Sequence, residues 1–145
     1  MSQSEPLSPP TLEEVRQYAY RSGFFQLLDL QVEQAQNGSG TVSLAVNARL
    51  LHPQQIVHGG VIFTLADTAM AMAMISTLPP EISFSTIEAK INFFRPVRTG
   101  HLRATSTILH QGRSTAVLEA TVYNQETEEQ LTVARALGTF HIARR

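Results

Sequence analysis

Residues 57–74 read VHGGVIFTLADTAMAMAM, and this stretch limits what the chain can fold into more than any other. Small and apolar residues fill it, and two glycines open it. Asp67 is the only Asp, Glu, Lys or Arg between Arg49 and Glu81. The run from about Gly59 to Leu78 reads as one helix, stopped by Pro79-Pro80 because proline cannot continue a helix. Its apolar residues lie nearly all round: Val61, Ile62, Leu65, Ala66, Ala69, Met70 and their neighbours. A helix that is apolar on every side is expected to be buried on every side. The run is long enough to raise the question of a membrane. A carboxylate at its centre is costly in lipid, and alanine and glycine make it weakly hydrophobic. It is therefore read as the buried helix of a soluble domain.

The rest of the chain supplies the wrapping. TLEE at 11–14 is a capping box that starts a short helix running to about Tyr20, with Leu12, Val15 and Ala19 inward. FFQLLDLQVEQAQ, residues 24–36, reads as a strand. NGSG at 37–40 is a turn signal, and TVSLAVNA alternates with Val42, Leu44 and Val46 on one face, so 24–48 reads as a hairpin. Pro53 keeps 49–58 irregular. After Pro80, FSTIEAKINFF, LRATSTILH, STAVLEATVY and LTVARALGTFHI read as four strands of a meander, separated by turns at RPVRTG, HQGRS and NQETEE. A single buried helix wrapped by an antiparallel sheet is an α+β arrangement. Residues 1–10 are Ser/Pro-rich and expected to be disordered; 11–145 are expected to form one domain. That suits a length of 145 residues with 43% hydrophobic and 16% charged side chains.

Composition narrows the chemistry. There is no cysteine, which removes disulfides, thiolate nucleophiles and Cys-based zinc sites. A net charge of −1 gives no reason to expect nucleic acid or an anionic membrane as partner. The charge is uneven: eight Lys/Arg and six Asp/Glu from residue 81 onward, against three and six before it. MSQSEPLSPP lacks the basic and apolar regions of a signal peptide, so a cytoplasmic protein is expected.

Asp67 is the candidate catalytic group. A carboxylate in an apolar helix is costly, and no Lys or Arg stands at i±3 or i±4, where Phe63, Thr64, Met70 and Ala71 lie. A structural carboxylate satisfied by Thr64 or Thr68 is the bland alternative. Gly59 and Gly60 at a helix start allow close approach to free N–H groups at the positive dipole end, where a developing oxyanion could sit. Eight residues separate Gly59 from Asp67, a rise of about 12 Å at roughly 1.5 Å per residue. One helix cannot bring both to one carbonyl carbon. Two antiparallel copies across a two-fold axis can. His52 and His58 flank the loop; with Asp67 they match no familiar metal spacing, so no metal and no cofactor are expected.

HPQQIVHGGVIFTLADTAMAMA resembles the signature of hotdog-fold acyl-CoA thioesterases of the phenylacetate-pathway (PaaI-like) group. INFFRPVRTGHLRATSTILHQGRSTAVLEATVYN extends the similarity, which covers roughly residues 22–142. The resemblance implies a long central helix wrapped by a highly curved antiparallel sheet, acting on acyl-CoA as a homodimer usually paired into a homotetramer. It places the catalytic carboxylate on Asp67, as nucleophile or general base, and the oxyanion-hole N–H on Gly59, after His58. A Ser/Thr supplied by the neighbouring subunit falls on Thr86. CoA contacts fall near Arg95 and on Gln111-Gly112-Arg113-Ser114. Gly60, beside Gly59, and Phe63, against the acyl chain, complete the expected substrate contacts. His52 stands where many members carry Asn. The expected substrates are small aromatic or medium-chain acyl-CoAs. A hotdog hydratase/dehydratase and a non-catalytic acyl-CoA binding module are the rival readings.

Overall fold

Thr11 starts the first helix, α1 (Leu12–Ala19), in the computed structural model, which describes residues 8–126 and 128–144. Its hydroxyl accepts from Glu14 N at 3.3 Å while Glu14 Oε2 accepts from Thr11 N at 2.7 Å, so the capping box is closed. The Thr11 backbone N–H, and then its hydroxyl, hold the Glu14 carboxyl below the usual carboxylate range. Val15 and Ala19 are buried and Leu12 packs against the core. Most of the stretch expected to be disordered, residues 1–7, lies outside the described residues.

The first half of the expected strand at 24–36 is instead a helix, α2 (Gly23–Leu28). Ser22 caps it, accepting from Phe25 N at 3.5 Å, and Asp29 ends it in the left-handed region at φ 51°. Cap and stop outweigh the β preference of Phe24-Phe25. Phe25 and Leu28 pack on the core while Phe24 and Leu27 stay exposed. The strand proper, β1, is Gln31–Gln36, joined to β2 (Ser39–Ala45) through Asn37-Gly38. Both turn residues have positive φ, 51° and 77°, which suits a tight hairpin. Val42 and Leu44 are buried; Val46 lies just past the strand, half-buried.

Four long strands follow: β3 (Ser83–Phe93), β4 (His101–Gln111), β5 (Thr115–Gln125) and β6 (Gln130–Ala143). The sheet is antiparallel throughout, in the order β1-β2-β4-β5-β6-β3. The expected four-strand meander therefore holds only for β4-β5-β6. β2 occupies the flank of β4, pairing Ala45 with His101, so β3 lies at the far edge beside β6. The segment containing RPVRTG makes the crossing.

The long helix, α3 (Gly59–Ile75), lies in the concave face of this sheet. It ends before Leu78, which is nonetheless buried. Its backbone rests on β2 at Gly40, where an added Cβ would stand 2.3 Å from Ala69 O and 2.5 Å from Ala73 N. Ile62, Leu65, Ala66, Ala69, Met70 and Ala73 are buried against the sheet. The expected burial on every side does not hold within one chain. Gly60 is exposed, and Thr64, Asp67, Ala71 and Ile75 are only half-buried. Their helical spacing makes one stripe that this chain leaves partly uncovered. Among the described residues no helix is long and apolar enough to cross a membrane.

Gly40→Ala pushes a methyl group into helix backbone and should lower unfolding free energy by about 1–3 kcal/mol or more in urea titrations. Gly23→Ala, with open space around it, should stay within about 0.5 kcal/mol of wild type.

Candidate active site

Asp67 sits on the uncovered stripe, and its fixed partner comes from the edge strand. Thr86 Oγ1 donates to Asp67 Oδ1 at 2.8 Å. Thr86 thus reaches Asp67 within one chain, whereas the resemblance assigned it to the neighbouring subunit. Thr64, one candidate for a structural partner, instead donates to Gly60 O at 2.8 Å. Arg103–Glu33 and Arg135–Glu119 form ion pairs, and among the described residues no cation pairs with Asp67.

A bulge in β3 makes the Thr86 contact possible. The β3–β6 register shifts between Thr86 and Glu88, leaving Ile87 as the extra residue. Before it, Phe84 and Thr86 face the helix: Phe84 meets Phe140 at 6.0 Å between ring centroids, and Thr86 meets Asp67. After it, Ala89 and Ile91 pack on the core and Phe93 lies against Gly59. The bulge switches the inward set from even to odd numbers.

At the start of α3, His58 is the N-cap, and its Nδ1 accepts from Gly60 N at 2.8 Å. A neutral ring accepting there carries its proton on Nε2. Gly60 N–H is therefore occupied by the cap, and an added Cβ at Gly60 would stand 2.9 Å from that same Nδ1. Gly59 N–H has no acceptor among the described residues, and the Phe93 ring covers its Cα at 3.3 Å from a notional Cβ. Of the two glycines, Gly59 is the one with a donor left to give. Phe93 was not singled out in the sequence; an aromatic ending an inward-alternating strand was the available signal.

The loop before the helix is tied down. Leu51 and Val57 form a β-bridge, His58 N donates to Leu50 O, and Val57 N donates to Val97 O. His52 Nδ1 accepts from Gln54 N at 3.0 Å, inside its own turn. Neither histidine hydrogen-bonds to Asp67. Phe63 stands one turn before Asp67, half-buried.

The two expected CoA contacts separate. Arg95 is exposed just beyond Phe93, at the Gly59 end of α3. Arg113 and Ser114 are exposed in the β4–β5 turn, at the other end, where Thr77 Oγ1 donates to Gln111 Oε1 at 2.9 Å. The length of α3 between those ends is about 24 Å at roughly 1.5 Å per residue.

The model of the thioesterase superfamily matches residues 54–130, which include the loop, α3, β3 and β4. The chain belongs to the thioesterase superfamily. It is 37% identical over 116 residues to acyl-coenzyme A thioesterase PaaI of Escherichia coli, covering 79% of this chain and 78% of that protein. It is 26% identical over 140 residues to the medium/long-chain acyl-CoA thioesterase YigI of Salmonella typhimurium, covering 86% and 88%. The solved structure of the E. coli PaaI protein from the phenylacetic acid degradation operon superposes with a TM-score of 0.75 at 27% identity. That match covers 92% of this chain and 97% of the other.

Thr86→Val keeps shape and removes the donor to Asp67. Hydrogen bonds to charged groups are worth about 1.5–3 kcal/mol, so thiol release from acyl-CoA should slow about tenfold or more. Because Thr86 is exposed and water can replace its hydroxyl at Asp67, the thermal midpoint should fall by a few degrees at most.

Proposed function

We propose that this protein hydrolyses acyl-CoA to a carboxylic acid and free CoA, at two sites shared across a homodimer. One observation carries the reading. Among the described residues, Asp67 is a carboxylate without a counter-cation on the uncovered face of α3, and the Gly59 N–H, two turns away on the same helix, has no acceptor. Neither completes a site alone; an antiparallel copy supplies to each what it lacks.

The sheet edges support that pairing. On β1, α1 takes the free edge: Arg16 Nε donates to Val32 O at 2.8 Å, and Tyr20 OH accepts from Val32 N at 3.3 Å. β3 has no such cover among the described residues, runs 11 residues, and exposes Ile87 and Phe93. A long bare edge is a template for another strand. Two copies of β3 pairing with Thr86 opposite the partner's Phe93, across the Ile87 bulge, centre the ladder on Lys90. Thr86 and Phe93 both face inward, as directly opposed residues must. Asp67, tied to Thr86, then lies beside the partner's Gly59, which packs on the partner's Phe93. The two ends of α3 also exchange, so the Arg113 end of one subunit approaches the Arg95 end of the other. Arg113 and Ser114 with the partner's Arg95 would then share one CoA.

In this arrangement the thioester oxygen accepts from Gly59 N–H at the positive end of the helix dipole. One good donor is worth about 2.7–4 kcal/mol to the tetrahedral intermediate. Asp67 uses the oxygen that Thr86 leaves free, either adding to the carbonyl carbon or taking the proton from the water that adds. The C–S bond breaks, and the thiolate leaves to take a proton; where Asp67 itself has added, water then cleaves the resulting anhydride, which frees the acid and restores the carboxylate. His58 keeps Gly60 N–H out of the reaction and fixes the helix start. His52, with Nδ1 engaged, has Nε2–H to orient the water or thioester. Phe63 lies against the acyl group. The dimer pairs further into a tetramer, which rests on the resemblance alone, and the enzyme works in the cytoplasm.

Asp67→Asn keeps the volume and removes the charge. The turnover number should fall by about 10²–10⁴, the worth of a positioned acid–base group, while acyl-CoA binding persists. A variant with normal turnover per folded molecule and a lowered thermal midpoint would make Asp67 structural.

A further inference from the structure

Two rows of side chains lead away from the Asp67–Thr86 hydrogen bond to a cavity that the reaction does not use. On α3 the row is Asp67, Ala71 and Ile75, one turn apart on one face, all half-buried. Opposite it run Thr86, Phe84 and Ile82, at alternate positions of β3 and its lead-in. Phe84 and Ile82 are half-buried and pack on the core. The helical row spans about 12 Å at roughly 1.5 Å per residue. The strand row spans about 13 Å at roughly 3.3 Å per residue. The rows are matched in length, joined by a hydrogen bond at one end, and both reach the cavity at the other. The middle position on the helix is alanine, the smallest side chain on that stripe after Gly60.

The cavity has a volume of about 760 Å³ and is lined by Ile75, Leu78, Ile82 and Phe84 with Val15 and Tyr18 of α1. That is the size of a ligand site, and these walls are apolar. Among the described residues that line it none is Lys or Arg, and Glu14 stands among them. An acyl chain ending in a carboxylate would meet a like charge there and no counter-cation. A neutral hydrocarbon end would meet apolar walls. A compact aromatic acyl group held at Asp67 would leave both lane and cavity empty.

We infer that the lane between α3 and β3 carries the acyl chain from the reacting carbonyl to this cavity. The preferred substrates are straight, medium-length fatty acyl thioesters with an uncharged terminus, and Ala71 keeps the lane open. The inference rests on the thioesterase reading for its chemistry and on the lane geometry for its selectivity.

The test measures kcat/KM for butanoyl-, octanoyl-, decanoyl- and phenylacetyl-CoA with wild type, Ala71→Phe and Ile75→Phe. Calorimetry with the non-hydrolysable thioethers S-decyl-CoA and S-ethyl-CoA accompanies it. Wild type should prefer decanoyl- to butanoyl- and phenylacetyl-CoA. In Ala71→Phe the decanoyl-to-butanoyl ratio should fall at least tenfold, and S-decyl-CoA should lose its binding advantage over S-ethyl-CoA. Ile75→Phe, at the far end, should depress decanoyl- more than octanoyl-CoA, which guards against misfolding of the first variant. A ratio unmoved by both substitutions, or a wild-type preference for butanoyl- or phenylacetyl-CoA, overturns the lane. Absence of turnover with every acyl-CoA overturns the hydrolase reading instead. The lane then stands if S-decyl-CoA binds more tightly than S-ethyl-CoA and Ala71→Phe abolishes the difference, and falls if it does not.

Discussion

A single hydrogen bond, from Thr86 to Asp67, ties the edge strand to the helix it wraps, and the candidate site depends on it. The helix must be apolar to lie in the concave sheet, and its backbone meets β2 so closely that only glycine fits at position 40. A carboxylate on such a helix is expensive unless something polar reaches it. The crossing that sends β3 to the far edge, and the bulge at Ile87 that turns Thr86 inward, supply that partner. One hydroxyl satisfies one oxygen without neutralising the charge. The second oxygen has no hydrogen-bond donor among the described residues.

The same edge is the ground for proposing that one chain is an incomplete unit. β1 is closed by Arg16 and Tyr20, whereas β3 is an edge strand whose outer side pairs with no strand among the described residues. α3 keeps a stripe half-uncovered beside it. An antiparallel copy would cover both at once. It would also place the free N–H of Gly59 where the partner's carboxylate works. Stability and catalysis then ask for the same interface, with the acyl lane opening from it toward α1.

Much of this was legible in the sequence where local chemistry decides the outcome. The capping box of Thr11 and Glu14, the Asn37-Gly38 turn, the long apolar helix and the four alternating strands are all set by neighbours in the chain. Asp67 stood out because charge is rare in such a run. What could not be read depends on contacts distant in sequence, or on competition between weak signals. Phe24-Phe25 favours a strand until the Ser22 cap and the left-handed Asp29 are weighed against it. Sheet order is absent from periodicity, so β3 was placed beside β4. Nothing in HGG distinguishes the two glycines; only the His58 ring, folded back onto Gly60, shows which N–H is spent. Arg95 and Arg113 look alike in sequence, yet they lie at opposite ends of α3.

The central claim is that each site takes its carboxylate from one subunit and its oxyanion donor from the other. Mixing two inactive variants tests it most directly. Asp67→Asn removes the carboxylate. Gly59→Pro removes the N–H at the first helical position, where proline is tolerated and the extended backbone of His58 is compatible with it. Each variant alone should release thiol from acyl-CoA at a small fraction of the wild-type rate. After unfolding and refolding together in equal amounts, half the dimers are mixed. Each mixed dimer holds one intact site, so about a quarter of wild-type activity should return. Activity that stays at the level of the separate variants, with mixed dimers verified by mass, would mean that Asp67 and Gly59 act within one chain and would contradict the account.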